Sequence, residues 1–245
     1  MALGQYGGTG GVEMSAKANE HRWAVSSFWL KLIMAGLMTL DHIRVFFPQA
    51  PLWFHILGRL VAPTFIYLVA ESLRWTRDRR RFIGRMLTAG FLMLLGQIIL
   101  ATAFSRPDLY DFSMLIALGI NSAFIHFIER FNRKRNLQDL LAGVIVLLLA
   151  FIFEGSWVVT IMLSVFYFLD GHRVWMFGAY GALCVLIGIF HSFFGPWQWA
   201  MIFAIIPILL YNGRRGPSGR FAKYFFYVFY PAHIGTLFTV SMILG

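Results

Sequence analysis

Five polar side chains stand inside apolar sequence: Asp41 and His42 in LMTLDHIRVFF, Arg59 in ILGRLVAP, Gln97 in LLGQIIL and His233 in FYPAHIGTL. Imidazole titrates near neutrality, so a buried histidine can take up and return a proton at cellular pH. A carboxylate commonly orients such a histidine, and a guanidinium can stabilise an oxyanion or bind a carboxylate. Asp41 and His42 are adjacent, so on a regular helix their side chains point roughly 100° apart. Asp41 is thus placed to orient a histidine from another helix, for which His233 is the candidate. Two structural readings stand beside this. Arg44 lies three residues after Asp41 and can pair with it locally, and Arg59 can neutralise Asp41 as an interhelical bridge. Two His and an Asp also suit zinc or iron, but no short ligand spacing supports a metal site, and none is expected.

These residues must be positioned by helices that cross a membrane. Of 245 residues, 59% are hydrophobic and 13% charged, about half the charge of a soluble domain. A span takes about 20 apolar residues. Reading apolar runs and breakers gives an all-α bundle of about nine transmembrane helices, near 28–47, 52–71, 82–104, 112–130, 137–153, 155–169, 174–194, 197–211 and 221–244. The runs 155–169 and 197–211 are short, which predicts tilt or partial re-entry. Residues 1–27 are Gly-rich and polar and read as a mobile arm, with no signal peptide ahead of the first run. The single cysteine, Cys184, excludes an internal disulfide and a multi-thiolate zinc site.

Charge supplies the topology. Eighteen of the 21 Lys and Arg residues fall in the amino-terminal arm with Lys31 and in the segments 72–85, 129–139, 170–173 and 211–223. The intervening loops hold only Arg106, and Arg44 and Arg59 lie within helices. Rich and poor loops alternate, which predicts a cytoplasmic amino terminus and a carboxyl terminus on the outer face of a bacterial inner membrane. The alternation also requires a helix break at Glu154-Gly155. The net charge of +10 is thereby explained by cytoplasmic loops rather than by nucleic acid.

Depth follows from about 1.5 Å of rise per residue: His42 lies roughly 21 Å above the inner end of its helix, His233 roughly 17–18 Å and Gln97 roughly 22 Å. With Asp41 and Arg59 they form one layer in the outer half, where ionisable groups are costly and usually functional. Asp111, Glu154 and Tyr230 border that layer and, with Gln97, are the candidates for contact with substrate. Pro63 and Pro231 each deprive a carbonyl of its helical donor, that of Arg59 and that of Tyr227. Freed carbonyls at depth require protein or water partners, which points to a hydrated recess. His55, His126 and His191 lie near helix ends and read as interfacial. A transporter or channel could use the same layer to relay protons, although no internal repeat of the transporter kind is visible.

The order of motifs resembles a known family. LMTLDHIRVFF (37–47) is similar to its opening helix, and ILGRLVAPTFIYLVAES (56–72) to its Gly-Arg, Pro, Phe pattern. A basic loop, the Gly96-Gln97 pair, FSMLIALGI (112–120) and FYPAHIGTL (229–237) follow in the same order. The chain resembles TraX, the conjugative pilin acetylases of plasmid transfer systems. The resemblance implies that 28–245 is one membrane-bound acyltransferase-like domain. It implies transfer of acetyl from acetyl-CoA to an amine, such as the amino terminus of processed pilin. Acyl transfer to an amine needs a base and an oxyanion stabiliser, roles that fall to His42, His233, Asp41 and Arg59. Acetyl-CoA is cytoplasmic and its phosphates need cations, so Arg74, Arg77, Arg79, Arg80, Arg81 and Arg85 form the candidate dock. The other partners expected are the bilayer, a pilin or other amine acceptor, and a second copy of the chain in a homo-oligomer.

Overall fold

A computed structural model describes residues 24–104, 114–152, 156–190, 195–217 and 219–244. Asp111, Glu154 and His191 lie outside the described residues. Each apolar run of the sequence is helical where described. The elements are α1 (Ser27–Phe46), α2 (Leu52–Gly58), α3 (Val61–Trp75), α4 (Arg79–Ala103), α5 (Met114–Lys134), α6 (Leu137–Ile152), α7 (Ser156–Phe168) and α8 (Arg173–Ile189). A 3-10 helix (Gln198–Ala204) runs into α9 (Ile205–Leu210), and α10 (Arg220–Leu244) closes the chain.

Among the described residues, three helical stretches, Leu52–Trp75, Arg79–Ala103 and Met114–Lys134, are long and apolar enough to cross a membrane, and five shorter apolar helices accompany them. The surface agrees. Phe91, Leu92 and Ile99 on α4, Ile145, Leu148 and Ile152 on α6, and Val185, Leu186 and Ile189 on α8 are all exposed. A soluble surface does not carry apolar patches on that scale. The chain therefore has the surface of an integral membrane protein.

The centre of the bundle is α3. It buries Ile66, Leu68, Ala70 and Leu73 and packs against α1, α5 and α7. Leu30 and Met34 of α1, Leu163 and Phe166 of α7 and Tyr180 of α8 complete the same core. Helices α4, α5, α6 and α7 follow as sequential neighbours. Glycines set the closest approaches: a methyl group at Gly90 of α4 would overlap Ile116 of α5, and one at Gly119 of α5 would overlap Leu87 of α4. The last helix, α10, lies against α1 and touches α4, where Phe238 meets Phe104 with ring centroids 4.8 Å apart.

The helix ends that carry basic residues meet one another. Arg74, at the end of α3, donates to the carbonyl of Phe166 (2.8 Å) and pairs with Asp170 (2.9 Å) beyond the end of α7. Arg79, at the start of α4, pairs with Glu129 near the end of α5. The segment before α1 joins the same end. Val25 forms a parallel bridge with Tyr211, donating to Leu210 (2.7 Å) and accepting from Asn212 (3.1 Å). Gly216, at φ 74°, passes so close to Ser26 that a side chain there has no room. Residues 24–27, read from sequence as part of the arm, are therefore held to the 210–216 segment.

Candidate functional site

The site is assembled from three elements. Asp41 and His42 lie on the last turns of α1. His55 is on α2, and Arg59 falls at the break between α2 and α3. Tyr230 and His233 lie on α10. The break at Arg59–Leu60 is a tight turn: Arg59 N–H bonds Ile56 O (3.2 Å) and Leu60 N–H bonds Leu57 O (3.1 Å). Pro63 then sits in the first turn of α3, where its missing N–H is harmless. Sequence reading expected one helix over 52–71 with the Arg59 carbonyl freed by Pro63; the chain forms two helical segments within one span, and the joint delivers Arg59 to α1.

Because Asp41 and His42 are consecutive, they face different neighbours. Asp41 faces α2. Its carboxylate accepts from Arg59 Nη2 at 3.2 and 2.9 Å and from His55 Nδ1 at 2.6 Å. Gly58 makes this approach possible, since a Cβ there would collide with Asp41. His42 faces α10: its Nδ1 lies 2.8 Å from His233 Nε2, with the rings stacked at 5.0 Å. Tyr230 stands edge-on to both rings, and Phe229 stacks on His233 at 4.9 Å.

This pairing corrects one expectation. Asp41 does not orient His233; it holds His55 and Arg59. His233 is oriented instead by the carbonyl of Phe229, 2.9 Å from its Nδ1. The Asp41–Arg59 bridge weighed from sequence is present, but the local Asp41–Arg44 pair is not. Arg44 turns its Nη1 to the carbonyls of Pro48 and Ala50. His55, read as interfacial, belongs to the site.

For neutral imidazoles, the hydrogen bonds assign the ring protons. A carbonyl only accepts, so His233 Nδ1 carries a proton and neutral His233 offers a lone pair at Nε2. His42 fills it with its own Nδ1–H, which leaves His42 Nε2 bare. The same logic applies to His55: its Nδ1–H donates to Asp41, and its Nε2 is bare. The layer thus presents two imidazoles with basic nitrogens available. Arg59 Nη1 makes no hydrogen bond among the described residues. The Asp41, His55 and Arg59 side chains are 17%, 30% and 20% exposed, so the cluster is sheltered yet reachable.

The other sequence candidates divide. Gln97 is buried on α4, and its Oε1 has no partner among the described residues; it bonds neither histidine. Arg74 is committed to the end of α7. Arg81 is exposed and pairs with Asp78 at 3.0 Å, and Arg85 is exposed. Arg77, Arg79 and Arg80 line a cleft of about 550 Å³ with Asp78, His126, Glu129, Arg130 and Arg133.

The family model described as "TraX protein" matches residues 26–241, which spans every element of this site. The chain belongs to the TraX family. It is also similar to the probable fimbrial assembly protein FimC, serogroup H1, of Dichelobacter nodosus. The two are 24% identical over 242 residues, which is 89% of this chain and 97% of the relative. No solved structure gives a significant match. The paired histidines of α1 and α10 lie toward opposite ends of the matched span.

Proposed function

We propose that this TraX family member is a membrane-bound acetyltransferase that moves acetyl from acetyl-CoA to an amine, the acceptor being the amino terminus of processed pilin. One observation supports this most: His42 Nε2 is left bare by a hydrogen-bond chain running to His233 and the Phe229 carbonyl. It belongs to the residue next to the Asp41–Arg59 pair. A base and a cation with a spare donor are what acyl transfer to an amine requires.

The reaction follows. The amine nitrogen attacks the thioester carbonyl carbon, and the developing oxyanion is stabilised by Arg59 Nη1. His42 Nε2 takes the proton from the attacking nitrogen. The C–S bond breaks, the C–N bond remains, and CoA leaves as thiolate, which recovers the proton from His42. The positive charge on His42 is shared with His233 through their hydrogen bond. His55, steadied by Asp41, stands beside Arg59. Under this proposal Gln97 Oε1, which has no partner among the described residues, accepts from an amide N–H of the pantetheine arm or of the acceptor. A buried acceptor left unpaired is costly, so a ligand N–H gains from filling it.

The amino terminus and the basic loops lie in the cytoplasm under this proposal, and the layer opens toward the outer half. The relative's name, a fimbrial assembly protein, fits a pilin acceptor. Mass spectrometry of pilin from cells carrying the chain tests the reading. An added acetyl group at the pilin amino terminus is expected, absent when His42 is replaced. Unmodified pilin in both strains, with proton or solute flux through reconstituted protein, would favour the transporter reading instead.

A further inference from the structure

The cleft between α4 and α5 has features that topology alone does not require. Its walls carry five guanidiniums, those of Arg77, Arg79, Arg80, Arg130 and Arg133, against the carboxylates of Asp78 and Glu129. The carboxylates are already taken. Glu129 holds Arg79 and lies 3.7 Å from Arg133, and Asp78 holds Arg81 outside the cleft. Arg130 is paired at 3.1 Å with Asp139, which is 4% exposed. Arg77 and Arg80 have no ion-pair partner among the described residues. Two buried nitrogens, His126 Nε2 and Arg130 Nε, likewise have no hydrogen-bond partner there. A positive-inside signal needs charge in a loop, not a walled concavity with unmatched donors.

Guanidinium forks with spare N–H groups match phosphate oxygens. The volume of about 550 Å³ lies within the range of small-molecule sites. We infer that this cleft binds the phosphate-bearing nucleotide end of a soluble ligand. Given the acetyl-transfer reading, on which this identification rests, the ligand is the adenosine 3′,5′-bisphosphate portion of acetyl-CoA. Arg77 and Arg80 hold its phosphates, and His126 and Arg130 line the floor. Within the dock expected from sequence, Arg74, Arg81 and Arg85 then have no part. Four residues of α5 that sequence reading did not assign to the dock take their place: His126, Glu129, Arg130 and Arg133.

The same cations could hold the phosphate of an anionic lipid, so the experiment separates the sources. Full-length protein is reconstituted in nanodiscs of phosphatidylcholine alone. Binding of CoA and of adenosine 3′,5′-bisphosphate is measured by calorimetry. Arg77→Ala/Arg80→Ala is expected to weaken both by at least tenfold. The charge-matched pair Arg214→Ala/Arg215→Ala, on an exposed loop elsewhere, is expected to bind within twofold of the parent. Equal weakening by the two pairs would overturn the proposal. So would failure of the bisphosphate to compete with CoA, or nucleotide binding that is absent here while phosphatidylglycerol added to the nanodiscs is bound and lost in the Arg77→Ala/Arg80→Ala variant. The two readings fail separately. Acetyl transfer with an unchanged KM in the Arg77/Arg80 variant removes the cleft but not the enzyme. Nucleotide binding without acetylated product removes the enzyme but not the cleft.

Discussion

His42 and Asp41 are neighbours in sequence with different duties, and substitution separates them. Removal of a general base typically costs about 10²–10⁴-fold in rate. His42→Ala is therefore expected to lower acetyl transfer by that order in a kinetic assay, with the thermal midpoint close to the parent. Asp41→Asn is expected to lower both rate and midpoint, because it strands Arg59 in a sheltered site and unpaired ions there are destabilising. Arg59→Lys keeps the charge but loses the fork. A loss of about 10²–10³-fold in kcat with little change in folding is expected, as for removal of an oxyanion donor. Sequence made Asp41, His42, Arg59 and His233 legible, since each interrupts an apolar run at depth. It did not reveal the pairing, because the rotation of α10 against α1 is set by packing between helices distant in the chain. His55 was missed because it lies close to a helix start. Its position four residues before Arg59, hence on the same helical face, was the available signal.

Helices position these side chains through a few close contacts. Gly58 admits Asp41 between α1 and α2, and overpacking a filled contact costs about 1–3 kcal/mol. Gly58→Ala is expected to displace α2, reducing acetyl transfer by at least tenfold while circular dichroism stays helical. Normal activity would show that the Asp41–His55–Arg59 geometry is not needed. Element boundaries were legible to within a few residues, since apolar length and charged loops bound each helix. Two features were not. The joint at Arg59–Leu60 is a local turn that apolar length does not reveal. The run 197–211, read as one short helix, begins as a 3-10 helix over Gln198–Ala204 ahead of Pro207, whose missing N–H cannot bond the carbonyl of Phe203.

At the scale of the molecule, the alternation of basic and neutral loops becomes a physical arrangement in which the basic helix ends meet. Cys184 is 1% exposed, so the parent chain is a quiet background for labelling. Gly171→Cys, in a basic loop, is expected to react with a membrane-impermeant maleimide only when the cytoplasmic face is open. Gln49→Cys is expected to react from the outside in intact cells. The reverse pattern would invert the proposed orientation.

The enzymatic account stands most directly on one rate: transfer of labelled acetyl from acetyl-CoA to a processed pilin amino terminus by purified, reconstituted protein. The account predicts an acetylated amine from the parent chain and a loss of about 10²-fold or more in a folded His42→Ala variant. Equal transfer by both proteins, or none by a folded parent given donor and pilin, contradicts it.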